Sequence, residues 1–182
     1  IEYGQWTFFP GVRYEHIKLE REDRSSGTTR ENSVDALVPG LGINYAVNNN
    51  LSLFGGVHKG FAPPSPGSTN DDEEESINYE LGARYGRDAL NLELIGFFND
   101  YENLLGECTL SSSCTGAALG DQFNAGEVQV MGIEFAVSYD LANHFETNGI
   151  ALPIGFNYTY TQAEFNNSFT SSFDEWGNVT DG

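Results

Sequence analysis

Between Glu75 and Leu105 the chain alternates with a period of two. Ile77, Tyr79, Leu81, Ala83 and Tyr85 take one parity, and Asn78, Glu80, Gly82, Arg84 and Gly86 take the other. That repeat belongs to a β-strand with one apolar and one polar face. After the break Arg87-Asp88-Ala89, Leu90, Leu92 and Leu94 alternate with Asn91 and Glu93, so the segment predicts an antiparallel hairpin. Length is the tighter constraint. Soluble strands run to about five or six residues, whereas a strand crossing a bilayer needs about nine to eleven. These arms reach the longer figure.

The rest of the chain repeats the unit. Trp6, Phe8, Val12 and Tyr14 share a parity opposite Thr7, Arg13 and Glu15, and this first strand fades near Glu20. Arg21 to Ser33 is polar and predicts a long loop. Leu37, Leu41, Ile43, Tyr45 and Val47 form a second stripe, ended by Asn48-Asn49-Asn50, a tight turn expected because asparagine tolerates the left-handed backbone. LSLFGGVHKGF is the third strand. Ala62 to Glu75, with three prolines and an acidic run, is a second long loop, and Gly106 to Gly126 a third. Met131 to Tyr139 and Leu152 to Thr161 supply strands six and seven, joined through Leu141 to Ile150, and Asn166 to Gly182 reads as a fourth loop.

Connections therefore run long, short, long, short, long, medium, long, which in an up-and-down sheet sends every long one to one end and every shorter one to the other. Outer-membrane barrels have this asymmetry. The expected fold is all-β: an antiparallel up-and-down meander of about seven long strands, part of a large transmembrane β-barrel. Arg13, Glu15, Glu80, Arg84, Glu93 and Glu134 oppose the apolar stripe and would face a lumen. Tyr14, Tyr45, Tyr101, Tyr139 and Tyr160, at strand ends, suit aromatic girdles. A soluble β-sandwich, secreted or at the surface and binding carbohydrate or acting as an adhesin, is the alternative.

Composition narrows function. The chain has 39% hydrophobic residues and no apolar run long enough for a membrane helix, a profile that barrels share because alternation hides their hydrophobicity. A net charge of −19 argues against nucleic acid as a partner. The strand-like opening IEYGQWTFF carries no signal peptide, which reads as an internal piece of a longer protein. His16, His58 and His144 have no metal-ligand spacing, and the serines lack a nucleophile-elbow context, so no enzymatic site is expected and no cofactor. Glu80 and Glu93 fit pairing with Arg13 or Arg84 better than glycoside hydrolysis.

HKGFAPPSPG at 58–67, followed by ESINYELGARY at 75–85, resembles TonB-dependent outer-membrane receptors, closest to the ferric dicitrate and siderophore group. GFFNDYENLLGECT (96–109), GDQFNAGEVQVMGIEF (120–135), YTYTQAEFNNSF (158–169), PGVRYEHI (10–17) and LVPGLGINY (37–45) carry the resemblance across nearly the whole chain. It implies a plugged barrel of about 22 strands, with residues 1–182 a barrel fragment lacking the plug and the C-terminal strands. It also implies a Gram-negative outer membrane with long loops extracellular, uptake of a ferric chelate as transported ligand, and coupling to TonB through the missing plug. An excised sheet of this kind is expected to self-associate.

Four local features follow. Cys108 and Cys114 flank a Ser/Thr-rich gap and predict a disulfide, worth about 2 kcal/mol, that stiffens a loop tip. Asp71-Asp72-Glu73-Glu74-Glu75 lacks the glycine-spaced pattern of a calcium loop and reads as a solvated loop. Phe61-Ala62-Pro63-Pro64-Ser65-Pro66 is a stiff exit from its strand that would shape either a binding vestibule, with Phe61 as a contact, or a plain turn. Gln122, Phe123 and Asn124, returning from the cysteine loop, are the other candidate ligand contacts.

Overall fold

A computed structural model of the chain describes residues 1–66, 73–107, 122–124, 126–144, 152–166, 169–170 and 178–179. The strands are β1 (Glu2–Tyr3), β2 (Trp6–Asp23), β3 (Thr28–Ala46), β4 (Leu51–Ala62), β5 (Glu74–Arg87), β6 (Leu90–Glu102), β7 (Leu105–Glu107), β8 (Gln122–Asn124), β9 (Val128–Asp140), β10 (Pro153–Phe165), β11 (Phe169–Thr170) and β12 (Asn178–Val179). A 3-10 turn, Leu141–His144, follows β9. Seven of the strands are long. With β1 they form one antiparallel sheet in the order β1-β2-β3-β4-β5-β6-β9-β10, the expected meander.

The turns at one end are short for local reasons. Asn48 Oδ1 accepts the amides of Asn50 (2.9 Å) and Leu51 (3.0 Å), an Asx turn. That side-chain bond, rather than left-handed backbone, makes asparagine apt there. Between β5 and β6 the two-residue turn is made by Asp88, at φ 52°, and Ala89.

Register places the apolar residues on one face. Trp6, Tyr45, Leu53, Ala83, Leu94, Phe135 and Tyr158 form one cross-strand row, and Pro10, Leu41, Val57, Tyr79, Phe98 and Met131 lie in another. Most of this face is open to the outside: Leu81 and Phe156, on the same parity, are 72% and 57% exposed, and Leu94 and Tyr158 are also exposed. A sandwich needs a second sheet over this face, and among the described residues the long strands make only the one.

The band also runs diagonally. On β2 it extends from Trp6 to Tyr14, centred on Pro10; on β10 it extends from Ile154 to Tyr160, centred on Asn157. The row through Pro10 meets β10 at Gln162, five residues past Asn157. Five residues span about 17 Å and six interstrand steps about 29 Å, an inclination of roughly 30°. Strands of membrane barrels tilt by about 35–45°, so a level lipid layer would trace such a diagonal. Trp6 and Tyr45, with ring centroids 4.4 Å apart, sit at its turn-end margin. Tyr101 does not join a girdle. It pairs with Ser76 and Val128 on the opposite parity, because the stripe of β6 ends at Phe98 and Asp100 takes the next band position.

The stretch expected to be a loop between Arg21 and Ser33 is instead a hairpin. β2 and β3 pair continuously to Asp23↔Thr28, whereas β3 leaves β4 beyond Gly40↔His58, so the hairpin projects past the sheet. Its faces invert there. The band face becomes polar with His16, Lys18, Glu20, Glu31, Ser33 and Asp35, while Ile17, Leu19, Val34, Ala36 and Val38 occupy the other face. Val34 (9% exposed) and Ala36 (6%) are among its buried residues. A strand clear of lipid no longer needs apolar side chains outward.

Asp23 closes the tip. Its carboxylate accepts Ser25 Oγ (2.6 Å), the Ser25 amide (2.9 Å) and the Ser26 amide (3.3 Å), which hold its pKa down to about 2 from 3.8. A depressed carboxyl pKa stabilises the turn fully above the unfolded value and loses that contribution as pH falls through the folded one. The turn is therefore expected to persist at pH 4 and to open towards pH 2, read from the Ser25 and Ser26 amide shifts. Opening at pH 5 would contradict this role.

Candidate functional site

The face opposite the band carries the charges and amides, interspersed with Phe9, Phe54, Ile95 and Phe97. Arg84 on β5 stands opposite Glu93 on β6, and its Nε donates to Glu93 Oε2. The Arg84 guanidinium carbon lies 4.2 Å above the Phe54 ring centroid, a cation–π contact. Phe54 in turn lies over Gly82, its register partner, where a Cβ would strike the ring. Phe97 lies over Gly132 in the same way. Two bare glycines thus let two rings lie flat, and one ring seats the arginine.

This stack borders an open concavity of about 1020 Å³, lined by Asn50, Ser52, Arg84, Asn91, Glu93 and Asn157 among others. A second, of about 480 Å³, adjoins it beside Phe9, His58 and Glu80. Glu80 and Glu134 lie on the same face by register. The result is an open wall of charges and amides, suited to polar contacts. Arg84 takes Glu93, as expected, while Arg13 takes Glu15 at 3.0 Å.

No group of three or more His, Cys, Asp or Glu able to hold a metal occurs among the described residues. His16 Nδ1 lies 2.7 Å from Asp35 Oδ1, which also accepts the Tyr14 hydroxyl at 2.6 Å. The tyrosine bond first, then the histidine, holds the Asp35 carboxyl below its usual range. This cluster is on the band face of the projecting hairpin, away from the concavities.

The other candidates sit at the long-loop end. Phe61 lies near the end of β4 opposite Glu75 and shares the band parity. Gln122–Asn124 form β8, which pairs with β7 as Leu105↔Asn124, Gly106↔Phe123 and Glu107↔Gln122. The base of the third loop is thus a short ladder. Cys108 and Cys114 lie outside the described residues, as do Asp71 and Asp72, whereas Glu75 of the acidic run pairs with Lys59 at 2.5 Å. The Phe54–Gly82–Arg84 stack was missed from sequence. Its signal, phenylalanine facing glycine two residues before an arginine, appears only once β4 and β5 are in register.

A long-stranded sheet with a tilted apolar band on one face and a charged wall on the other is the wall of a membrane-spanning β-barrel. Residues 1–181 match the family described as TonB dependent receptor-like, beta-barrel, and the chain belongs to that family. Its members are receptors of the Gram-negative outer membrane and not enzymes. Among solved structures it is similar to the ferric citrate transporter FecA (TM-score 0.70, 26% identity, 98% of this chain and 26% of that one). It is also similar in fold to the FrpB iron transporter of Neisseria meningitidis (0.66, 18%, 98% and 26%). The ferric yersiniabactin uptake receptor FyuA of Yersinia pestis is a third (0.62, 21%, 92% and 25%). The chain thus spans about a quarter of each of these receptors.

Proposed function

We propose that this chain is part of the barrel wall of a receptor that takes up a ferric chelate, of the siderophore or ferric dicitrate kind, driven through TonB. The carrying observation is the pairing of a lipid-matched band with a charged inner wall, in a family whose solved relatives are named for iron and ferric-chelate transport. In this reading the turn end is periplasmic. The β2–β3 hairpin, the connection after β4 and the β7–β8 ladder are extracellular. Gln122, Phe123 and Asn124 are candidate chelate contacts, whereas the band parity of Phe61 turns it away from the inner wall and weighs against it as one; a Cys108–Cys114 disulfide stiffens the loop above β8. The plug and remaining strands complete the barrel, and the sheet on its own, with a bare apolar face, self-associates.

The test is uptake of iron-55, presented as ferric citrate and as several siderophores, by cells carrying the full-length protein with and without functional TonB. Energy-dependent uptake of one chelate is the expected result. Binding without TonB-dependent uptake would leave a receptor or adhesin, and no binding of any ferric chelate would remove iron from the reading.

A further inference from the structure

The chain sets eight Lys and Arg against 27 Asp and Glu, so cations have acids to spare. Four take them: Arg13 with Glu15, Lys59 with Glu75, Arg84 with Glu93 and Arg87 with Asp88. The other four, Lys18, Arg21, Arg24 and Arg30, make no ion pair among the described residues, and all belong to the β2–β3 hairpin.

Register then sorts these charges by face. Arg21 stands directly opposite Arg30 on the face continuous with the polar wall, while Glu20 stands opposite Glu31 on the band face. Directly opposed like charges destabilise a strand pair. A one-residue slip would set Arg21 against Glu31 and Glu22 against Arg30, but it would also turn the apolar stripe lower in the same strands away from lipid. The stripe dictates the register, yet nothing in the stripe calls for arginine at both positions. Of the acids sharing the arginines' face, Glu15 pairs with Arg13, while Asp23, one row nearer the tip, makes no ion pair among the described residues and its Oδ1 accepts from Ser25 and Ser26. The next row, Leu19 and Asn32, offers no negative charge. Opposed side chains start with Cβ atoms about 4.5–5.5 Å apart, so two planar guanidinium forks can close on one acid group with paired N–H···O bonds.

We propose that Arg21 and Arg30 form a docking point for a carboxylate-bearing ferric chelate on the lumen side of the projecting hairpin; this rests on the chelate-uptake reading. A protein of net charge −19 repels anions in general, and an arginine pair that makes no ion pair among the described residues, turned to the polar face, gives such a ligand its foothold. Bound carboxylate also relieves the Arg–Arg repulsion, so binding rigidifies the hairpin.

The test follows amide hydrogen exchange of residues 18–31 in the full-length protein, with ferric citrate, inorganic phosphate or a neutral ferric trihydroxamate. Ferric citrate is expected to slow exchange in the wild type and the hydroxamate to leave it unchanged. The R21Q/R30Q variant should lose this protection and bind ferric citrate at least about tenfold more weakly, while R24Q keeps both. Without ligand, R21Q/R30Q should exchange no faster than wild type, which separates lost binding from a damaged hairpin. Unchanged citrate affinity in R21Q/R30Q, or equal loss in R24Q, would overturn the proposal, as would phosphate protecting as well as ferric citrate. Protection by ferric citrate through Arg21 and Arg30 without import of any chelate would sink the transport reading and leave the carboxylate site standing. Chelate import indifferent to both arginines would do the reverse.

Discussion

The L81R substitution is expected to destabilise the membrane-inserted protein by about 2–4 kcal/mol, the cost of arginine at the bilayer midplane on a barrel's lipid face. Leu81 is the central residue of the β5 stripe Ile77, Tyr79, Leu81, Ala83, Tyr85 and is 72% exposed. The control is T159R. Thr159 lies on the polar face opposite Glu134, where a cation meets water and an acid, and the change there should be within about 0.5 kcal/mol. Both are read by urea titration of the full-length protein folded into lipid vesicles. The sign carries the information, because on a water-facing strand an exposed leucine gives way to arginine at little cost. Equal tolerance of L81R and T159R would remove lipid from the band face.

The same geometry constrains the inner wall. A barrel wall must be apolar towards lipid at every strand, so within the bilayer the band parity is the constrained one, while the inner parity accepts charges, amides and rings such as Phe54 and Phe97. Charges on the inner wall then need local partners. Arg84 finds Glu93 and the Phe54 ring, and the glycine beneath that ring keeps the stack thin. Beyond the apolar band the constraint lapses, and the projecting hairpin holds an unfavourable arginine pair that would be intolerable on the lipid face.

What could be read from sequence follows the same boundary. The β5–β6 hairpin was legible residue by residue because lipid enforces its stripe from Ile77 to Phe98 and Asp88-Ala89 suits the turn. The β2–β3 extension was not. Its apolar residues change parity, from Val12 and Tyr14 to Ile17 and Leu19, and its charges look like those of a solvated loop. Tyr101 misled for a related reason, since beyond Phe98 an aromatic residue no longer marks the lipid side. The Phe54–Arg84 contact depends on pairing across the connection between β4 and β5, and strand pattern alone does not set that register. The family resemblance, by contrast, lies in short stretches along nearly the whole chain, and the match over residues 1–181 agrees with it.

The G132A substitution is expected to cost about 1–3 kcal/mol, as overpacking does in well-packed sites, although it adds a single methyl group. A Cβ at position 132 would run into the Tyr160 carbonyl oxygen and come within 2.5 Å of Phe97 Cζ. The ring can swing away. The carbonyl belongs to the adjacent strand β10, whose movement would disturb its pairing with β9. Combining G132A with F97A should therefore restore only part of the loss. At Gly82 the balance differs: a Cβ meets the Phe54 ring and comes within 2.7 Å of the Leu94 carbonyl, a slacker backbone contact than the one at Gly132. Relieving the ring with F54A should recover more of the G82A defect, while forfeiting the Arg84 cation–π contact, worth about 0.5–1 kcal/mol at an exposed site. Unfolding titrations of the two double-mutant cycles separate these contributions. Complete rescue of G132A by F97A would show that the glycine makes room for the ring alone, and that the β9–β10 backbone approach imposes no requirement of its own.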